Sequence, residues 1–320
     1  MFCRDDIVKV LVPTVANNGF DYRVADSVEV GDFVTVSVMN RTYAGLVMGK
    51  GDGNVAPEKI KPILANYGKG LPVETVRWIE KMSEWTMMPM GSVLKLITGA
   101  CDFSKESRFS SDISYKDTGK IALNDEQRAA AEEITLNGFG VRLIDGVTGS
   151  GKTQVYFDAV WRTYKSGKQC LVMMPEIALT AQFMTRFEER FGAKPVVWHS
   201  NLTPARRRKI WHSVLDGDVR IVVGTRSALF LPWRDLGLIV IDEEHDASYK
   251  QEEMGNYHAR DMAILLAKIS DFPVILSSAT PSMETIRNVM VGKYAETKLT
   301  SRFGGAALPK IEIVDMRKKC

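Results

Sequence analysis

The sequence predicts an α/β protein in which a small β-rich N-terminal domain precedes one lobe built on a parallel sheet. Three observations predict it. Residues 1 to about 65 hold short runs of Val, Ile and aromatic residues separated by glycine turns. From residue 121 onward, apolar runs of strand length alternate with amphipathic stretches of helix length, the pattern of a parallel sheet covered on both faces. Between one such strand and helix lies Gly146-Val-Thr148-Gly149-Ser150-Gly151-Lys152-Thr153, a glycine-rich loop of the phosphate-cradling type.

Taken in order, Ile7 to Val12, Phe33 to Val38 and Tyr43 to Met48 read as strands, with Gly31-Asp32 and Gly49 to Gly53 as turns. From Leu71 to about Thr98, Val73, Val76, Trp78, Ile79, Met82 and Trp85 recur at helical spacing. Trp78 and Trp85 read as core residues of that helix, and a second short helix covers Gly91 to Ile97. Residues 101–120 are serine-rich and interleaved with charge, which is linker composition. After it come strands at Val141 to Asp145, Gln169 to Met174, Pro195 to Trp198, Arg220 to Gly224, Leu238 to Asp242 and Pro273 to Ser277. The intervening helices are Thr153 to Ser166, Leu179 to Phe191, Pro204 to Leu215 and Ala259 to Ile269. This divides the chain into 1–100, a linker and 121–320.

Bulk properties exclude more than they assign. With 45% hydrophobic and 25% charged residues the chain has ordinary globular composition. No run approaches the roughly 18 apolar residues that span a bilayer, and the first residues carry acids where a leader would carry bases. The expectation is a cytoplasmic protein with no membrane partner. A net charge of +3 proves no nucleic-acid binding. Cys3, Cys101, Cys170 and Cys320 are too dispersed for a zinc site.

The glycine-rich loop carries the chemistry. Gly146, Gly149 and Gly151, with Thr148 and Ser150 between them, let backbone N–H groups turn toward phosphate oxygens. Lys152 supplies a point charge for β- and γ-phosphates and Thr153 a hydroxyl for Mg²⁺. The strand ending in Asp242-Glu243-Glu244-His245 places carboxylates at the same sheet edge. Asp242 would hold Mg²⁺ through water, and Glu243 would orient and deprotonate an attacking water. ATP and Mg²⁺ are the expected cofactors.

Flanking segments add a resemblance. Asp242-Glu-Glu-His resembles the DEAH-type box of superfamily-two helicases. The segments are Leu123 to Gln127, Met174 to Gln182, Gly224 to Pro232, Leu276 to Ser282, Asp242 to Gln251 and Tyr257 to Asp261. Together they closely resemble the PriA family of replication-restart helicases (primosomal protein N′), and Gly19-Phe-Asp-Tyr-Arg-Val24 resembles that family's 3′-end-binding domain. The resemblance implies a RecA-like first motor lobe and ATP-driven 3′ to 5′ unwinding. It implies branched forks, 3′ ends and single strands as DNA partners, with primosome proteins and single-strand-binding protein besides. It implies that Gln127 contacts adenine, that Pro175 to Thr180 and Gly224 to Ser227, with Thr225 and Arg226, follow the DNA strand, and that Ser278 and Thr280 couple hydrolysis to lobe movement. Tyr249 and Tyr257 would be the stacking aromatics of the loop that links DNA contact to hydrolysis. Phe20, Asp21 and Lys61 would form the 3′-end pocket.

The sequence departs from the family pattern in several places. About 20 residues stand where the family places a winged helix. The resemblance implies a piece of a longer chain, with a second lobe, its arginine finger and zinc-binding cysteines beyond residue 320. The aromatic-rich loop has no tryptophan. Near Ser37 to Met39 a side chain replaces the pocket glycine and would narrow the pocket. Elsewhere, Ala205 to Lys209 reads as a solvated helix face and His199 as a structural loop residue. Two alternatives stand beside a restart helicase: a RecG-like translocase, and a DNA-end-binding module with an idle nucleotide site.

Overall fold

The computed structural model describes residues 1–99, 109, 113–252 and 255–302. Five N-terminal strands, β1 (Ile7–Leu11), β2 (Phe20–Arg23), β3 (Asp32–Val38), β4 (Arg41–Lys50) and β5 (Ala65–Gly70), form an antiparallel sheet in the order β2-β1-β4-β3-β5. Residues 61–64 close it into a small barrel. Arg23 N–H donates to Lys61 O, Ile63 N–H to Arg23 O and Leu64 N–H to Thr35 O, each at 2.9 Å. Val8, Val10, Val34, Val36 and Val47 fill the interior, while Leu11, Phe33 and Leu46 join the core of the following elements. Strand β2 escapes sequence reading because Phe-Asp-Tyr-Arg is only four residues long, and β5 because Ala-Asn-Tyr-Gly-Lys-Gly has little strand propensity of its own.

Helices α1 (Val73–Thr86) and α2 (Met90–Thr98) follow, each directly preceded by a proline. They are bolted to the second unit. Trp78 Nε1 donates to Met262 O at 2.9 Å, and Trp211 Nε1 donates to Ile97 O at 2.7 Å. Trp78 is buried as expected, but Trp85 is 64% exposed and is not a core residue. It lies in the last turn of α1, where the shared core has ended.

The second unit contains α3 (Asp125–Glu132), β6 (Gly140–Gly146), α4 (Lys152–Lys165), β7 (Gln169–Met173), α5 (Ala181–Phe191), β8 (Val196–Trp198), α6 (Pro204–Leu215), β9 (Ile221–Gly224) and β10 (Leu236–Asp242). A short hairpin, β11 (Lys250–Gln251) and β12 (Tyr257–His258), precedes α7 (Ala259–Ser270), β13 (Pro273–Ser278), α8 (Met283–Met290) and β14 (Ala295–Leu299). Seven strands form one parallel sheet in the order β14-β6-β13-β10-β7-β9-β8. Alternate residues feed the two faces: Leu171, Ile239 and Ile241 enter one core, Val172, Val240 and Ile275 the other. This is the parallel sheet, covered by helices on both faces, that the alternation predicts.

The linker reading of 101–120 fails at its C-terminal end. Tyr115 is buried, its ring set edge-on to Tyr164, Phe187 and Phe191. Lys116 N–H donates to Phe191 O at 3.0 Å, and Asp117 pairs with Arg190. Polar composition hid a strap laid across α5. Residues 100–108 and 110–112 of the same stretch lie outside the described residues.

Candidate nucleotide site and nucleic-acid faces

Strand β6 delivers the chain to a sheet edge, and the loop after it returns as α4. Gly151 is required twice over. Its φ is +87°, and a Cβ there would stand 2.2 Å from Gln127 Nε2. Ser150 Oγ is buried and has no partner among the described residues. A buried hydroxyl left open inside a ring of glycine amides fits an incoming phosphate oxygen. Lys152 is the first residue of α4 and is buried, and its ammonium donates to Gly146 O at 2.7 Å. The lysine thus closes the loop on itself. Thr148 and Gly149 are exposed at the loop crest, and Thr153 is half-buried beyond it.

Asp242 ends β10, two strands from the P-loop strand, with β13 between. Tyr156 OH donates to its Oδ2 at 2.9 Å and Ser277 Oγ to its Oδ1 at 2.8 Å. Tyr249 OH donates to its carbonyl at 2.6 Å. Tyr156 follows Lys152 by four residues, one turn along α4, a spacing that could have been used to find it. Ser277 is set by the register Asp242↔Ser277, which no local pattern reveals.

The next two carboxylates have opposite environments. Glu243 is half-exposed with φ +47°. Burial and the neighbouring Asp242 raise its carboxyl above the usual range, against the pull of Lys152 and His245. A raised pKa suits a proton acceptor. Glu244 is fully buried. Burial raises its proton affinity, but the Ser282 N–H, Arg260 and the Thr285 hydroxyl outweigh it and hold the carboxyl below the usual range. Arg260 Nη1 donates to Glu244 Oε2 at 2.7 Å, and Ser282 N–H donates to Oε1 at 2.6 Å. His245 Nδ1 is 2.8 Å from Ser278 Oγ, and Nε2 is 3.4 Å from Thr280 Oγ1. The acidic turn is therefore fastened to α7, to α8 and to the segment after β13. The Glu244–Arg260 pair had no signal in the sequence beyond both being charged.

Several expected contacts need correction. Gln127 is buried and its amide makes two internal hydrogen bonds. Its Oε1 accepts from Asn124 N–H at 3.1 Å, completing a capping box, and its Nε2 donates to Ser150 O at 3.0 Å. It braces the phosphate loop and lines the cleft beside it, with a second N–H and a further oxygen lone pair that these two bonds leave unused. Tyr249 is 1% exposed and Tyr257 7%, so neither presents a ring to a base. They pack in the core beneath the loop, Tyr257 edge-on to Phe230. Arg226 Nη1 donates to Ser248 O at 2.9 Å and to Lys250 O at 2.8 Å, so it ties two loops together. Thr225 is half-buried beside it. On α6, Arg207 donates to Ser200 O at 2.9 Å, while Arg206 and Lys209 flank the Phe109 ring. His199 accepts from Asn201 N–H, a structural loop role.

On the barrel, Phe20 is 43% exposed and Lys61 is exposed. The Arg23–Lys61 backbone bond places Lys61 beside β2, so the three proposed pocket residues share one edge. Successive strand residues point to opposite faces. Phe20 shares a side with buried Tyr22, whereas Asp21 faces the loop after β4 and accepts from Asp52 N–H at 3.2 Å and Gly53 N–H at 3.1 Å.

Two stretches of the chain match known families. Residues 124–289 match the DEAD/DEAH box helicase family, and residues 9–98 match a 3′ DNA-binding domain. A replication restart protein PriA of Rickettsia conorii is 39% identical over 323 residues, covering 98% of this chain and 49% of the relative. The PriA proteins of Haemophilus influenzae and Bacillus subtilis are 45% and 43% identical over 62% and 65% of this chain, covering 28% and 26% of those relatives. The chain thus spans about half the length of its Rickettsia relative.

Proposed function

Since the chain belongs to the DEAD/DEAH box helicase family, whose members generally use ATP and Mg²⁺, we propose that it forms the ATP-binding and DNA-end-binding portion of a 3′ to 5′ replication-restart helicase. The observation that carries this is the glycine cradle with its open, buried Ser150 hydroxyl, set at the same sheet edge as Asp242 and Glu243.

In this reading the backbone of Gly146, Thr148, Gly149, Ser150 and Gly151 binds the phosphates. Lys152 leaves Gly146 O for the β- and γ-phosphates. Thr153 and Asp242 hold Mg²⁺, which when bound neutralises phosphate charge. Asp242 is kept in place by Tyr156 and Ser277. Glu243 takes the proton of the attacking water. Thr225 and the guanidinium N–H groups of Arg226 that do not brace Ser248 O and Lys250 O face single-stranded DNA, and Phe20, Asp21 and Lys61 meet the 3′ end. Forked DNA, primosome proteins and single-strand-binding protein are the partners, in the cytoplasm. A second reading, a DNA-end module with an idle nucleotide site, has one observation in its favour: Lys152 already satisfies its charge within the loop.

Calorimetry with ADP–Mg and with Lys152→Ala tests the proposal. The parent should bind, and the variant should lose roughly tenfold or more, the scale of one charge-assisted bond of about 1.5–3 kcal/mol. Equal affinity in both would remove the assignment. Residues 1–320 alone should turn ATP over slowly. In two-lobed motors a second lobe completes the site with an arginine, and such a finger can supply about 10³ to 10⁵ in rate. Brisk DNA-stimulated hydrolysis by these residues would show that the site is complete without it.

A further inference from the structure

Helix α6 carries Arg206, Arg207, Arg208 and Lys209 in succession, and none of them pairs with a carboxylate among the described residues. Arg207 is committed to the fold: it donates to Ser200 O at 2.9 Å and lies over Trp198, 5.6 Å from the ring centroid. The other three are not. Arg206 is exposed, Arg208 and Lys209 are half-buried, and their side chains make no hydrogen bond to a described residue. We propose that this side of α6 grips the phosphate backbone of a DNA duplex. The inference rests on the DNA reading above and adds to it where the double-stranded arm of a fork lies.

Three observations converge on this face. The first is that the placement does nothing for the fold. Thr203 caps α6, so Arg206 lies in its first turn, where no acidic residue stands. The positive end of a helix disfavours cations, and like charges one turn apart repel each other. A polyanion relieves both. The second is that the rings here are covered. The Arg206 guanidinium and the Lys209 ammonium lie 5.4 and 4.8 Å from the centroid of Phe109, and Arg207 covers Trp198. Single strands are held on open rings that stack their bases. This face offers charge without a stacking platform, which suits a duplex, whose base faces are hidden and whose phosphates are displayed. The third is position. Strand β8 is the edge of the parallel sheet, and α6 starts where β8 ends. Trp198 Nε1 donates to Ser227 Oγ at 3.1 Å, and Ser200 Oγ donates to Glu176 Oε1 at 3.3 Å. The start of α6 is therefore fastened to both loops proposed to follow the single strand. A duplex held there lies beside that path, at the rim of the lobe.

The test is fluorescence anisotropy on the 320-residue chain with a labelled blunt duplex and a labelled single strand of equal length, across a salt series. Sodium polyglutamate serves as a competitor with charge but no phosphate. The double variant Arg206→Gln, Lys209→Gln should weaken duplex binding roughly tenfold and lower the slope of log affinity against log salt by about two, one for each lost phosphate contact. Single-strand affinity should stay within about twofold, since its path lies on the loops. The pair Arg206→Lys, Lys209→Arg keeps both charges and should keep the slope, which separates loss of charge from damage to the helix. If the parent binds duplex and the glutamine variant leaves affinity and slope unchanged, α6 is not the contact, and the DNA reading survives. Equal losses for duplex and single strand overturn the assignment to a duplex arm. Polyglutamate that displaces duplex at equal charge concentration overturns it in favour of an acidic protein partner. A parent that binds neither DNA overturns it together with the DNA reading beneath it.

Discussion

The proposed nucleotide edge of the parallel sheet and the proposed DNA-end edge of the barrel are built on different principles. At the first, function is written into the backbone: positive φ at Gly149 and Gly151, a positive φ at Glu243, and carboxylates fixed at the end of β10. Phosphate chemistry needs N–H groups at set positions, and few residue types allow them. At the second, an ordinary barrel carries Phe20, Asp21 and Lys61 as side chains on one edge, and the aspartate already caps a loop. A nucleotide cradle leaves a strict pattern in the sequence, whereas an end-binding face leaves only residue types. Substitutions at the sheet edge should therefore act steeply and those at the barrel edge mildly.

The steepest effect is expected at Glu243. In a chain extended through the second lobe, Glu243→Gln should bind nucleotide normally and lose about 10² to 10⁴ in hydrolysis, the range for a general base. Because burial and Asp242 raise the Glu243 carboxyl, the acid limb of the parent's pH profile should lie above the ordinary glutamate range. Single-turnover assays across pH check both. Unchanged turnover would move the role to another group. A raised pKa also means that the ionised form is disfavoured in the folded state. The glutamine variant should therefore melt no lower than the parent at neutral pH, and any gain should vanish as pH falls through the raised value.

Next comes the buried pair. Arg260→Met leaves the Glu244 carboxylate without its cation in a fully buried place. The expected loss is about 3–5 kcal/mol in urea unfolding. The depressed Glu244 pKa contributes stability that is present above the unfolded value and fades as pH falls through the folded one. Glu244→Gln should then cost less in acid than at neutral pH. A cost that does not change with pH would show that packing, not charge, holds the acidic turn.

The same contrast sets what was legible. The Gly146 to Thr153 loop, the alternation of β6 to β10 and the acidic end of β10 follow from local rules, and the structure places them where those rules do. What was missed depends on distant partners. Tyr115 sits in polar sequence yet caps α5. Helix α8 and strand β14 are held by Glu244 and by pairing with β6, partners distant in sequence. Tyr249 and Tyr257 were assigned to DNA because their segment resembles a DNA-linked loop, and their burial depends on Asp242 and Phe230. Trp78 and Trp85 share a helical stripe, but only one reaches the second unit.

A milder effect is expected at Asp21. Asp21→Asn removes the charge and keeps one of the two oxygens that now accept separately from Asp52 N–H and Gly53 N–H. If the barrel reads 3′ ends, the preference for a 3′-hydroxyl over a 3′-phosphate should fall about fivefold, near 1 kcal/mol. Fluorescence anisotropy with forks of each kind measures it. A parent with no preference would mean that this edge does not sense the end.

The smallest effect tests whether the barrel edge has been shaped for binding at all. Strands β3 and β4 are joined by Met39 and Asn40 alone, both with positive φ, at 46° and 62°. A two-residue hairpin of this primed type favours glycine or asparagine, because a side chain at positive φ crowds the backbone. Methionine is costly there, and at 92% exposure it recovers nothing by packing. The hairpin lies beside β2, since Tyr22 OH donates to Ser37 O at 3.0 Å. Met39→Gly should relieve the crowding and stabilise the fold by roughly 0.5–1 kcal/mol, after the extra chain entropy of glycine is subtracted. Two measurements on the same variant then separate the readings. If Met39 is kept for contact with the DNA end, stability rises while affinity for 3′-ended forks falls, the trade expected where function holds a strained residue. If stability rises and affinity is untouched, the hairpin tip is outside the pocket, and the contact face must be sought between Phe20 and Lys61.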